Sequence, residues 1–195
     1  RGPRGGSPFG GGGGPFGGGG GPMKGGDLET EMTVSLEEVL AGGKRRLSLQ
    51  GPGGVISLDV TIPKGVASGQ KLRVSGKGQP SPMGGPAGDL LIRVQIATHD
   101  LFRVDGEDLA VSVAVPVTTL VLGGSAEVPV PGGSQRALKI APGTPNGTRM
   151  RIRGFGLPGR NGARGDLYVE LGASLPETLS EEQKGLFEKL QETGA

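Results

Sequence analysis

The residues able to do chemistry in this chain are few and poorly arranged for it. His99 is the sole histidine and there is no cysteine. A His/Cys metal cage, a thiolate nucleophile and a disulfide are all excluded. His99 stands beside Asp100 in a polar stretch and reads as a structural or solvated loop residue. Gly154-Phe155-Gly156-Leu157-Pro158-Gly159 has the spacing of a dinucleotide-binding loop. That chemistry needs a helix N-terminus directly behind the glycines to hold a phosphate. Here Pro158 sits inside the match and Arg160-Asn161-Gly162 follows it, which suits a turn. Gly65 and Gly69 ahead of Lys71 fall one residue short of a phosphate loop, and no Ser or Thr follows the lysine. Asp89 and Asp166 could share acid–base work only if close together. Each follows a glycine and opens an apolar run, the setting of an aspartate that accepts backbone N–H bonds in a turn. No enzyme is expected, and no cofactor.

Two basic stretches remain. Arg149, Arg151 and Arg153 alternate and so share one face of a strand. Lys44-Arg45-Arg46 is the other. A nucleic-acid surface wants aromatic rings among its cations, yet aromatics make up 3% of the chain and the net charge is +2. A nucleic-acid-associated protein working through basic strand faces is therefore the second hypothesis.

The elements that must position these residues occur twice. Residues 65–80 read GVASGQKLRVSGKGQP and residues 143–158 read GTPNGTRMRIRGFGLP. GDLLIRV from Gly88 and GDLYVEL from Gly165 follow them. Asp27-Leu28 opens a stretch ending at Gly42-Gly43, and Asp108-Leu109 opens an equally long one ending at Gly123-Gly124. In the first copy LETEMTV alternates apolar and polar positions, as a half-buried strand does. Ser35 and Glu38 form a capping box for one short helical turn, which Gly42-Gly43 ends. Lys44 to Leu49, Val55 to Ile62, Lys71 to Val74 and Leu90 to Ile96 read as further strands, with a turn from Gly51 to Gly54 between the first two. The second copy repeats the order with strands at Leu109–Val115, Ser125–Val130, Arg136–Ile140, Arg149–Ile152 and Leu167–Leu171.

The fold expected is mainly β: two tandem homologous β-sandwich-like domains with short helices. A glycine-rich N-terminal segment, residues 1–26, precedes them. It is expected to be a flexible linker, because glycine runs lose more backbone entropy on ordering than burial returns. PFGGGGG occurs in it twice, and Phe9 and Phe16 are its sizeable apolar groups. Domain I spans 27–104, domain II 105–176. Residues 177–195 carry a second capping box, Ser180 with Gln183, and a helix with Leu186, Phe187 and Leu190 on one face and Leu179 just before it. No apolar run approaches the ~20 residues that cross a membrane.

A protein of strands can bind extended peptides by adding them to a sheet edge. Aligned on their Gly-Gly pairs, Arg45-Arg46-Leu47-Ser48-Leu49 matches Ala126-Glu127-Val128-Pro129-Val130. Pro129 and Pro131 lack amide protons and blunt their strand as a pairing edge. The first copy is free of proline there, so a peptide-binding edge fits it better. Periodicity leaves open whether Leu47 and Leu49 face a groove or the core.

The whole ordered series resembles the C-terminal half of a DnaJ-family (J-domain) co-chaperone. The series runs from a PFGG-type linker through DLETEMTVSLEEVLAGGKRRL, IPKGVASGQKLRVSGKG and GDLLIRVQIATHDLFRVDGEDL to the second copy and LPETLSEEQKGLFEKL. The resemblance implies a cytoplasmic stress-response protein that binds unfolded polypeptides and delivers them to a DnaK-type chaperone, acting as a homodimer through its terminal helix. It also implies a client groove in domain I, carried over by position onto Thr30, Met32, Arg45, Leu47 and Leu49, with Phe102 closing one end. Lys44, Arg45 and Arg46 would receive the acidic tail of the partner chaperone, and Leu179, Leu186, Phe187 and Leu190 would pair the subunits. The His-Pro-Asp tripeptide of the family's J domain is absent from the chain, as is the cysteine-rich zinc module. The chain therefore resembles a J-domain-free fragment of the zinc-free, CbpA-like type.

Overall fold

The alternation of Leu28, Thr30, Met32 and Val34 with Glu29, Glu31 and Thr33 carries directly into burial. Strand β1 (Leu28–Val34) turns the first set inward and the second out to solvent. The computed structural model describes residues 23–51, 54–159 and 162–194. The paired phenylalanines Phe9 and Phe16 and the middle of the Gly51–Gly54 turn lie outside the described residues.

After β1 come α1 (Leu36–Ala41), β2 (Gly43–Gly51), β3 (Gly54–Ile62), β4 (Lys71–Val74) and β5 (Leu90–Ile96). The second copy runs β6 (Phe102–Asp105), β7 (Asp108–Pro116), α2 (Val117–Leu122), β8 (Gly124–Val130), β9 (Ser134–Ile140), β10 (Arg149–Ile152) and β11 (Leu167–Ser174), and α3 (Glu181–Glu192) ends the chain. In the first unit a sheet ordered β1-β5-β4 faces the β2-β3 hairpin; in the second, a sheet ordered β10-β11-β7-β6 faces the β8-β9 hairpin. The architecture is mainly β, two homologous sandwich-like units in tandem, as the repeat predicts.

The central strand pair of each unit is parallel, Leu28 opposite Leu90 and Leu109 opposite Leu167. Both pairs are locked by the same polar device. The Asp27 carboxylate accepts the Asp89 amide at 2.7 Å, and the Asp108 carboxylate accepts the Asp166 amide at 2.7 Å. Asp89 and Asp166 in turn accept the amides of Gly76 and Gly154. The two aspartates are thus turn acceptors, each in its own unit. The cores are aliphatic, built from side chains such as Leu90, Ile92, Leu109, Ile140, Leu167 and Leu171, each under 2% exposed.

The helices follow their caps. Ser35 Oγ accepts the Glu38 amide while the Ser35 amide donates to the Glu38 carboxylate, and Ser180 with Gln183 repeats the arrangement for α3. α2 begins at Pro116 with no side-chain cap; its buried Leu120 ties it to the sheet. Gly65 marks the contact between units: its φ is +70°, and a side chain there would run into the Pro158 carbonyl. The matching glycine, Gly143, faces open space.

The structure moves two boundaries. β6 hydrogen-bonds to β7 and therefore belongs to the second unit, so the units meet at residues 97–101 and not at 104/105. β6 itself was not expected from the sequence. At the other end, residues 23–26 are not part of a free linker. The Gly25 amide donates to the Pro86 carbonyl at 2.9 Å and the Gln79 amide to the Gly26 carbonyl at 2.8 Å. Lys24 adds a 2.9 Å ion pair to Asp89, whose side chain is 5% exposed. Specific backbone bonds and a half-shielded ion pair outweigh the entropy argument that composition suggested.

Candidate functional site

In a parallel pair, alternate residues point their backbone groups at the same neighbour. The Leu28 amide donates to the Asp89 carbonyl and the Val34 carbonyl accepts from Ala97. Leu28, Thr30, Met32 and Val34 therefore bond towards β5, and the backbone groups of Glu29, Glu31 and Thr33 point to the opposite edge. Among the described residues no strand pairs with that edge.

The β2-β3 hairpin covers the core beneath it. Leu47 and Leu49 lie opposite Leu58 and Ile56, half-buried and packed on the core. Arg45 shares their face and reaches back across the gap. Its Nη1 donates to the Thr33 carbonyl at 2.7 Å and meets the Glu38 carboxylate at 3.1 Å. Arg45 thus ties β2 to the unpaired edge of β1, and Leu28, Thr30, Leu47 and Leu49 stay partly exposed nearby. Met32 is buried, at 3% exposed.

The same positions in the second unit are closed. Leu109 and Val111, the counterparts of Leu28 and Thr30, are 0% and 3% exposed, and Val128 and Val130, the counterparts of Leu47 and Leu49, are 0% and 3% exposed. The difference is β6. It pairs antiparallel with β7, Phe102 opposite Val111 and Val104 opposite Leu109, along the edge that no described strand pairs with in the first unit.

Other expected site residues are dispersed. Phe102 is 6% exposed and lies at the junction of the units, where it borders a cleft of about 750 Å³ with Gly65, Ile96, His99 and Leu157. His99 is structural: its Nδ1 accepts the amides of Leu101 and Phe102, its Nε2 lies 3.2 Å from the Glu37 carboxylate, and its ring packs at 5.2 Å from that of Phe102. The triplet Lys44-Arg45-Arg46 is split by the pleat. Arg45 turns in, while Lys44 and Arg46 turn out, Arg46 pairing with Asp59 at 3.2 Å.

The α3 stripe borders the second unit more closely than the sequence suggested. Leu186, Phe187 and Leu190 face Val117, Val121 and Leu122 across an apolar cleft of about 690 Å³. They stay 56%, 37% and 51% exposed, and Leu179 44%. On the outer face of the second unit, the Arg149 guanidinium lies 4.2 Å over the Tyr168 ring and Arg151 pairs with Asp166 at 3.5 Å. Tyr168 is the aromatic partner that spacing alone did not reveal; it comes from the neighbouring strand. No group of carboxylates and histidines able to hold a metal ion occurs among the described residues, and none of their helices is long and apolar enough to cross a membrane.

The duplicated sandwich thus has an edge of β1 that no described strand pairs with, while the matching edge of β7 is paired by β6. The chain belongs to the DnaJ C-terminal domain family, whose sequence model matches residues 28–176. It is 36% identical over 179 residues to the Curved DNA-binding protein of Pseudomonas syringae pv. tomato, covering 87% of this chain and 57% of that one. It is 40% identical over 137 residues to Chaperone protein DnaJ 2 of Cutibacterium acnes, covering 70% of this chain and 36% of the relative. Chaperone protein DnaJ of Paracoccus denitrificans is 40% identical over 145 residues, 71% of this chain and 38% of the relative. The chain thus spans between about a third and just over half of the length of these relatives.

Proposed function

We propose that the chain binds exposed apolar segments of unfolded polypeptides in the first unit and passes them to a DnaK-type chaperone. One observation carries the reading. Leu47 and Leu49 are only partly buried where Val128 and Val130 are fully buried, which supports an apolar strand edge kept accessible in the first unit. Backbone groups along an open edge supply sequence-tolerant affinity, and the leucines supply preference for apolar side chains. The test is suppression of aggregation of a chemically denatured protein, without nucleotide. Leu47→Ser with Leu49→Ser should weaken it while the circular dichroism spectrum stays unchanged. Equal suppression by the folded variant would refute the groove.

Lys44 and Arg46, on the outer face of β2, suit the acidic tail of a partner chaperone, while Arg45 is committed to Thr33 and Glu38. Pairing of two chains through α3 would set two grooves side by side and raise avidity for long clients without new contacts.

Nucleic acid is the second reading. The relative named Curved DNA-binding protein and the Arg149–Tyr168 stack support it. A fall in DNA affinity with rising salt, relieved by Arg149→Gln and Arg151→Gln, would distinguish it from client binding.

A further inference from the structure

We infer that β6 of the second unit is a built-in image of the client in the first, and that it specifies which edge the client joins, in which direction and with what side-chain pattern. The inference rests on the client-binding reading above and goes further, since that reading leaves both β1 and β2 as pairing edges.

β1 and β7 correspond position by position in register. Leu28 matches Leu109 through the equivalent parallel partners Leu90 and Leu167, and Asp27 matches Asp108 through the equivalent aspartate locks. Phe102 opposite Val111 therefore corresponds to a residue opposite Thr30, and Val104 opposite Leu109 to a residue opposite Leu28. A client strand in that place runs antiparallel to β1. It points side chains at alternate positions towards the face that carries Leu28 and Thr30, as Phe102 and Val104 do in β6, and the residue between them faces solvent. The pattern in β6 is Phe-Arg-Val: aromatic, charged, aliphatic. The favoured client is thus an extended segment with an aromatic and an aliphatic residue two positions apart, the residue between them free to be polar.

The backbone of the first unit is ready for such a strand. The Glu29 N–H and C=O point away from β5, as those of its counterpart Ala110 do towards β6. The chain ahead of Asp27 does not take the place itself. The residues equivalent to Asp105 and Gly106 are Lys24 and Gly25, and they are drawn off to Asp89 and Pro86. Beyond the β6 position the Arg45 guanidinium holds the Thr33 carbonyl, so the edge left open ends within three residues of Thr30.

The probe is a synthetic peptide with the sequence of residues 101–105, Leu-Phe-Arg-Val-Asp, offered to the full chain. Hydrogen exchange followed by NMR should show the Glu29 amide slowed by this peptide and not by Leu-Arg-Phe-Val-Asp, which turns the charge inward. Glu29→Pro removes that amide without touching the β5 ladder and should lower peptide affinity about tenfold, the worth of a lost ladder bond. Glu29→Gln, which keeps the amide, should bind as the parent does. Peptide protection appearing on β2 amides, with Glu29→Pro still binding, overturns the inference and leaves the client-binding reading standing. A Glu29 amide already protected without peptide also overturns it, since the edge would then be filled from within the chain. Failure of the parent chain to bind either the peptide or any denatured protein sinks the client-binding reading itself.

Discussion

Arg45 of the hairpin and Thr33 of β1 are joined by a 2.7 Å bond from guanidinium to carbonyl, on the edge of β1 that no described strand pairs with. Its counterpart in the second unit joins Ala126 to Ala114, which cannot make it. Arg45→Ala should lower stability by about 1 kcal/mol or less, because the side chain is 43% exposed and its bonds compete with water. It should also free the Thr33 backbone, so that longer peptides gain affinity relative to five-residue ones. Titration calorimetry with two peptide lengths measures the ratio; an unchanged ratio means Arg45 is no end-stop.

The contrast between Leu47/Leu49 and Val128/Val130 yields a stability prediction of opposite character in the two units. Leu47→Ser removes a half-buried side chain and should cost about 1–2 kcal/mol. Val128→Ser strips a fully buried one and leaves a hydroxyl without a partner, so it should cost about 2–4 kcal/mol. Client binding should follow the reverse order, strongly weakened by the first and spared by the second wherever the fold survives. Urea unfolding beside an aggregation assay gives both numbers; equal stability losses would mean that the leucines are core residues like the valines.

The duplicated framework was legible because it rests on local signals. The alternation in LETEMTV, the capping boxes at Ser35 and Ser180 and the Gly-Gly stops each determine their own element. What closes an edge was not legible. β6 is four residues long, and its sign was a turn at Asp105-Gly106 between Val104 and Leu109, easily lost among so many glycines. Without it the sign that set the two copies apart as pairing edges was Pro129 and Pro131. The Lys24 anchor was hidden likewise, since its partner Asp89 lies 65 residues away and the surrounding glycines suggest freedom. Leu47 and Leu49 prove to be partly buried and packed against the core, an outcome between the two that period-two reasoning offers.

Asp89 makes the first unit sensitive to acid. Lys24, then the Gly76 amide and then Arg73 favour its charged form, and together they overcome burial and hold the carboxyl well below the usual carboxylate range. A depressed pKa contributes stability that is complete above the unfolded value, about 3.9, and that drains away as pH falls below it towards the folded value. Asp89→Asn should therefore destabilise the chain at pH 7, with the gap from the parent narrowing by pH 2.5. Urea midpoints for both proteins at the two pH values test this. A gap of constant size would place the effect in shape and not in charge.

The last prediction concerns α3. Its apolar stripe lies against α2 but leaves Leu186 and Leu190 more than half exposed, beside Val121 at 59% and Leu122 at 74%. The cleft between the helices is too open to be a finished core, and apolar surface of this kind marks an interaction site. A second copy is the occupant that the proposed pairing supplies, each chain covering the other's exposed stripe. Leu186→Ser with Leu190→Ser should then shift the sedimenting species from dimer to monomer without changing the strand signal in circular dichroism. The affinity for a five-residue peptide should not change, since the first unit is untouched, whereas affinity for a long unfolded chain should drop with the loss of avidity. A mass unaltered by the substitutions would remove the dimer, and the two-groove clamp with it.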